Sequence, residues 1–153
     1  MLAISACLGG ICCRYDGKNN TVAALQQLVA DKKAIVVCPE VLGGLPTPRT
    51  PSEIVGGDGF DVWQGNAQVV TKTGENVTAA FKAGAIQAYQ ELKKHSIDYL
   101  VLKANSPSCG SQLIYDGSFS GIKKADVGVA TAYFISQGLQ VITEEEWLVN
   151  QER

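Results

Sequence analysis

The chain has 153 residues, 46% hydrophobic and 18% charged, with 13 Lys and Arg against 15 Asp and Glu for a net charge of -2. That length suits about one domain with a core that needs no disulfide staples, and the charge balance lacks the basic footprint of a nucleic-acid binder. No run approaches the roughly 20 apolar residues that span a bilayer, and Met1 leads straight into Leu2-Ala3-Ile4-Ser5-Ala6-Cys7 with no basic leader, so a soluble cytoplasmic protein without nucleic-acid or membrane partners is expected.

In chain order, residues 1–7 form an apolar run read as a first strand ending at Cys7. A Gly-rich loop follows, then a helix from Thr21 with Val22, Leu25, Leu28 and Val29 on one stripe. Ala34 to Val37 is continuously apolar, the pattern of a strand buried on both faces, and it stops at Cys38-Pro39. Residues 42–51 contain Gly43, Gly44, Pro46, Pro48 and Pro51 and are expected to be a long loop. Phe60 to Gln64 and Ala67 to Thr71, separated by Gly65-Asn66, predict a peripheral β-hairpin.

From Asn76, a capping residue type, the periodicity predicts the longest helix. Val77, Phe81, Ala85, Ala88 and Leu92 share one face, and Lys93, Lys94 and His95 lie at the end where cations suit the helix dipole. Tyr99 to Leu102 reads as a third strand, residues 103–110 as a loop, residues 126–137 as a helix stopped by Gly138, and Leu139 to Ile142 as a fourth strand. Thr143 and Glu146 form a capping-box pattern that opens a short last helix. Alternating strands and helices imply parallel strands, hence a single α/β domain over residues 1–153. The expected form is a Rossmann-like three-layer sandwich with a mainly parallel sheet and the hairpin at its periphery.

Five cysteines are too few for a disulfide scaffold, and their number is odd. Cys7 ends the first strand, Cys38 ends the second, and Cys109 lies in the loop after the third. Ligands of an open α/β sheet bind beyond the carboxyl ends of its strands, so these thiols converge on one edge although 31 and 71 residues separate them. A single such cysteine reads as a small buried hydrophobe; three at one edge point to a metal site. Three thiolates and an open position suit a catalytic zinc or a [4Fe–4S] cluster with one iron free of protein ligands, and spacing does not separate the two. Cys12 and Cys13 read as loop thiols, although either would close the site as a fourth ligand.

The same loops hold the polar inventory. Glu40 is a candidate general acid/base or else a solvated loop carboxylate. Ser106 and Ser108 beside Cys109 offer hydroxyls to sulfur or to a substrate carbonyl, or cap the loop. Arg14, Asp16 and Arg49 are candidates to orient a substrate, with surface ion pairing as the alternative. His95 is the only histidine and terminates an amphipathic helix, which weakens a Ser-His-Asp or Cys-His hydrolase.

Three motifs carry a resemblance over nearly the whole chain. They are Ser5-Ala6-Cys7-Leu8-Gly9-Gly10 with Arg14-Tyr15-Asp16-Gly17, then Cys38-Pro39-Glu40-Val41-Leu42-Gly43-Gly44-Leu45-Pro46-Thr47-Pro48-Arg49, then Lys103-Ala104-Asn105-Ser106-Pro107-Ser108-Cys109-Gly110. In this order they resemble the signature of the bacterial family catalogued as domain of unknown function 523, which includes the thiouracil desulfurases. The resemblance implies an oxygen-sensitive [4Fe–4S] cluster on Cys7, Cys38 and Cys109, with a functional carboxylate and serine that map onto Glu40 and Ser106. It further implies non-redox desulfuration of a thiolated pyrimidine such as 2-thiouracil, giving uracil and hydrogen sulfide with the sulfur captured on the open iron. The partner so implied is a small thiolated base, with a sulfur acceptor and the oligomeric state left open. Two other readings stand beside it: a non-catalytic iron–sulfur or zinc module with four cysteines, and a sulfurtransferase that carries persulfide on one cysteine.

Overall fold

The structure, a computed structural model, describes residues 1–151. Along the chain run β1 (Leu2–Ser5), a 3-10 turn (Ala6–Gly9), α1 (Ala23–Ala30), β2 (Ala34–Val37), α2 (Pro39–Leu42), β3 (Ser52–Val55), α3 (Gly59–Gln64) and β4 (Gln68–Thr71). There follow α4 (Thr78–Lys94), β5 (Tyr99–Leu102), β6 (Ile114–Tyr115), β7 (Lys123–Lys124), α5 (Val129–Ser136), β8 (Gln140–Thr143) and α6 (Glu144–Gln151). The central sheet is parallel throughout, in the order β2-β1-β5-β8.

Strand alternation sorts its side chains between two faces. Ala3, Leu100 and Leu102 pack with Ala85, Ala88 and Leu92 of α4 and with Ala130 and Phe134 of α5. Ile4 and Val101 point the other way, onto Leu25 of α1 and Trp147 of α6. Helices therefore cover both faces, which gives the expected α/β sandwich. Each fully buried Leu or Phe of this core contributes about 1.5–3 kcal/mol of transfer free energy.

The hairpin expected over residues 60–71 is not there. Residues 59–64 are helix α3, opened by a capping box in which Asp58 Oδ1 accepts the Asp61 N–H (3.1 Å) and Asp61 Oδ2 accepts the Asp58 N–H (2.9 Å). Gly65, at φ +85°, ends that helix and is not the corner of a β-turn. Reciprocal side-chain bonds satisfy two donors that a strand would have paired otherwise, so Asp58 and Asp61 settle the segment as helix. The partner of β4 is β3, antiparallel, with Glu53 opposite Val70. That strand comes from the end of a stretch otherwise dominated by Gly and Pro. Ile54 and Val69 of this ribbon form a separate apolar cluster with Val62 of α3 and Phe81 of α4.

The other signals hold closely. Asn76 Oδ1 accepts the Thr78 N–H at the start of α4 (3.0 Å). Thr143 and Glu146 exchange capping-box bonds of 3.0 and 3.1 Å. Helix α2, which carries Glu40, starts on Pro39 and lies against α4 backbone to backbone. A Cβ on Gly84 would fall 1.7 Å from the Pro39 carbonyl oxygen, and one on Gly43 would fall 2.0 Å from that of Ala80.

Candidate active site

Because β1, β2 and β5 run parallel, their carboxyl ends open on one edge, and the strand order reverses at β1. Ligands bind at such a switch point. Cys7 sits in the 3-10 turn directly after β1, Cys38 precedes α2 directly after β2, and Cys109 lies in the loop after β5. All three line a cavity of about 420 Å³, within the usual range for small-molecule sites. Cys13 joins them: its buried thiol is hydrogen-bonded with those of Cys38 and Cys7. Its neighbour Cys12 faces outward and accepts a bond from Asn19 Nδ2 (3.4 Å).

The thiols are weak acids here. Burial pushes Cys109 up to about 12, helped by the nearby Glu40 carboxylate and by Cys38 and partly offset by the hydroxyls of Ser5 and Ser108. Cys38 is raised by its bond with Cys13 and by burial. Cys13 rises to about 11; its bond with Cys38 lowers it, and Cys7 together with burial outweighs that. At neutral pH they hold their protons until a cation displaces them. Among the described residues, no group of three or more Cys, His, Asp or Glu side chains is arranged to hold a single metal ion. Ser108 Oγ is fully buried with no oxygen or nitrogen partner and faces the Cys109 sulfur. An all-sulfur donor set with a buried hydroxyl at hand suits an iron–sulfur centre.

Glu40 points into the same cavity from the first turn of α2. Arg49 holds Glu40 Oε2 through Nε (2.9 Å) and through Nη2. Arg49 Nη1 also donates to the carbonyls of Cys13 and Pro46, each at 3.2 Å. One guanidinium thereby ties the first cysteine loop to the second. Glu40 Oε1 faces the Ser106 hydroxyl at 3.5 Å, while Ser106 Oγ accepts the N–H groups of Ser108 and Cys109 at 3.0 Å. Ser106 both shapes the cysteine loop and reaches the carboxylate.

A family model described as 2-thiouracil desulfurase matches residues 2–146. The chain belongs to that family. It is similar to YbbK of Bacillus subtilis (strain 168), 47% identical over 146 residues that cover 95% of this chain and 97% of the relative. It also resembles a solved structure described as the [4Fe-4S]-dependent thiouracil desulfidase TudS, with a TM-score of 0.83 and 41% identity over 95% of this chain and 91% of that one.

Within this member of the desulfurase family, the remaining candidates divide. Arg14 lines the cavity, over the Tyr15 ring and 3.2 Å from Asp16 Oδ2. Asp16 does not line it and is bonded to the Lys18 N–H (3.0 Å). Arg49 lines it with its guanidinium spent on Glu40 and carbonyls, and Ser108 lies beneath Cys109. Sequence reasoning read Cys13 as a loop thiol, with a fourth-ligand role as the alternative, and gave no role to the lining residues Lys103 and Glu53. Lys103 reaches Glu144 Oε2 at 3.5 Å, and Glu144 accepts the Ala104 N–H with both oxygens (2.9 and 3.2 Å). A lysine directly after a core strand was the available signal for Lys103. Glu53 had none until β3 was recognised as a strand.

Proposed function

We propose that the protein is a cytoplasmic, [4Fe–4S]-dependent desulfurase that hydrolyses the C=S bond of a small thiolated pyrimidine such as 2-thiouracil. Cys7, Cys38 and Cys109 hold the cluster, and one domain spanning residues 1–153 carries the whole site. The observation that supports this most is the convergence of buried thiols and the Arg49-held Glu40 on one cavity. When bound, a cluster with one iron free of protein ligands supplies a soft Lewis acid suited to thiocarbonyl sulfur.

The chain's own residues do the proton work. Glu40 Oε1 accepts a proton from the attacking water, and the Ser106 hydroxyl holds that water in line with the carboxylate. Arg49 keeps Glu40 Oε2 occupied, so the free oxygen presents in one direction. Water's oxygen replaces sulfur on the carbon and sulfur departs as hydrogen sulfide. Neither carbon nor sulfur changes oxidation state, so no electron donor enters. Cluster-loaded protein incubated anaerobically with 2-thiouracil should release uracil and sulfide in equal amounts without added reductant. Strict dependence on an electron donor, or no uracil at all, would overturn this reading.

Cys13 favours a second reading. Four thiols now stand in the cavity, enough to close all ligand positions in a non-catalytic centre, and loss of the cluster in Cys13→Ser would select it.

A further inference from the structure

The reaction above leaves one buried acid unused. Glu53 stands on β3, 8% exposed, and lines the same cavity as Glu40 and the thiols. Its Oε1 accepts the backbone N–H groups of Gly117 (2.9 Å) and Phe119 (3.2 Å). Its Oε2 has no hydrogen-bond or ion-pair partner among the described residues and is not among the fully buried unpaired atoms, so it keeps some exposure. The other acids at this edge each have a cation: Glu40 has Arg49 on its Oε2, and Glu144 has Lys103 together with the Ala104 N–H. An acceptor oxygen left open beside a cavity takes its donor from whatever enters that cavity, water or ligand.

A thiolated pyrimidine brings such a donor. Its ring N–H groups adjoin the thiocarbonyl carbon, so a carboxylate that accepts one of them fixes the direction of the C=S bond. We propose that Glu53 Oε2 is a substrate-binding group that accepts a ring N–H of the base, which makes the site selective for bases unsubstituted at that nitrogen. The same side chain shapes the wall beside it. Gly117 lies so close to β3 that a Cβ there would fall 2.5 Å from the Ile54 carbonyl oxygen. The Glu53 clip on Gly117 thereby holds Tyr115, two residues earlier and itself at the cavity, as an aromatic surface for a flat ring.

The proposal rests on the desulfurase reading, and the test keeps the two apart. Steady-state kinetics of cluster-loaded protein are measured with 2-thiouracil and with its N1-methyl and N3-methyl derivatives. Wild type should disfavour one methyl isomer by at least about tenfold in KM, the scale of a lost bond to a charged acceptor. Glu53→Gln keeps Oε1 for the loop and turns the free oxygen into a donor. It should raise KM for 2-thiouracil at least about tenfold, leave kcat within about threefold, and erase the isomer preference. Unchanged hydrogen exchange at the Gly117 and Phe119 amides would show that the loop stays clipped. An unchanged KM with the same isomer preference would reduce Glu53 to a loop clip and overturn the proposal. Should the variant fail to fold, wild type decides, since equal KM for all three compounds overturns it as well. If wild type forms no uracil, the desulfurase reading fails. Glu53 is then judged by equilibrium dialysis of 2-thiouracil, where tenfold weaker binding by Glu53→Gln supports it and equal or absent binding overturns it.

Discussion

The cavity has two unlike sides. On one, the carboxyl edge of the parallel sheet supplies thiols and hydroxyls, and burial helps keep Cys38 and Cys109 protonated. On the other, α2, the loop that follows it, β3 and the segment after β6 supply carboxylates, a guanidinium and backbone amides, many of them bonded to one another. The division follows from the fold. Sheet edges between two helical layers are apolar and favour soft, neutral groups, whereas short peripheral elements leave amides and carbonyls free to hold charge in place. On the reading proposed, one side grips the metal and the other handles water and the ring.

Removing the thiol side should have the largest effect. Cys7→Ala, Cys38→Ala and Cys109→Ala should each abolish the broad visible absorption of reconstituted protein together with turnover, while Cys12→Ala leaves both intact. Survival of the absorption after Cys38→Ala would break the comparison at its root. On the oxygen side, Glu40→Gln should keep the absorption and lose about 100- to 10,000-fold in turnover, the usual worth of a positioned general base. Near-normal rates would reduce Glu40 to a partner for Arg49.

A smaller effect separates the sides without catalysis. Cys13 and Cys109 are pushed up to about 11 and 12 from an ordinary value near 9. A group whose folded pKa is raised stabilises the fold fully below its unfolded pKa and loses that contribution as pH rises through the folded value. Iron-free protein should therefore show a falling thermal midpoint from about pH 9 upward, and Cys109→Ser should flatten the decline. A flat midpoint in the parent protein would mean that burial is not what governs these thiols.

The central sheet was legible because Ala34 to Val37 and Tyr99 to Leu102 are buried on both faces and read as unbroken apolar runs. The strand ends that place Cys7, Cys38 and Cys109 followed from the same runs. The oxygen side was less legible, for local reasons. Phe60 to Gln64 alternates well enough to pass as strand, and only the reciprocal Asp58 and Asp61 bonds decide for helix. Glu53 is an acid in a strand that looked like loop. Cys13 turns inward through a loop whose carbonyl is held by Arg49, 36 residues away, a bond that no local pattern announces.

The spread of the thiols along the chain fixes an order of events. Cys7 and Cys109 are 102 residues apart and come to one edge through the pairing of β1 with β5, and the pairing of β1 with β2 adds Cys38. On the reading proposed, folding comes first and iron second, because the unpaired chain offers single thiols and the paired sheet offers a set. None of those strand pairings passes through a sulfur atom. On the reading proposed, a lost centre would leave those pairings in place, and its restoration would be a matter of refilling a finished vessel with iron and sulfide, without rebuilding the protein around it.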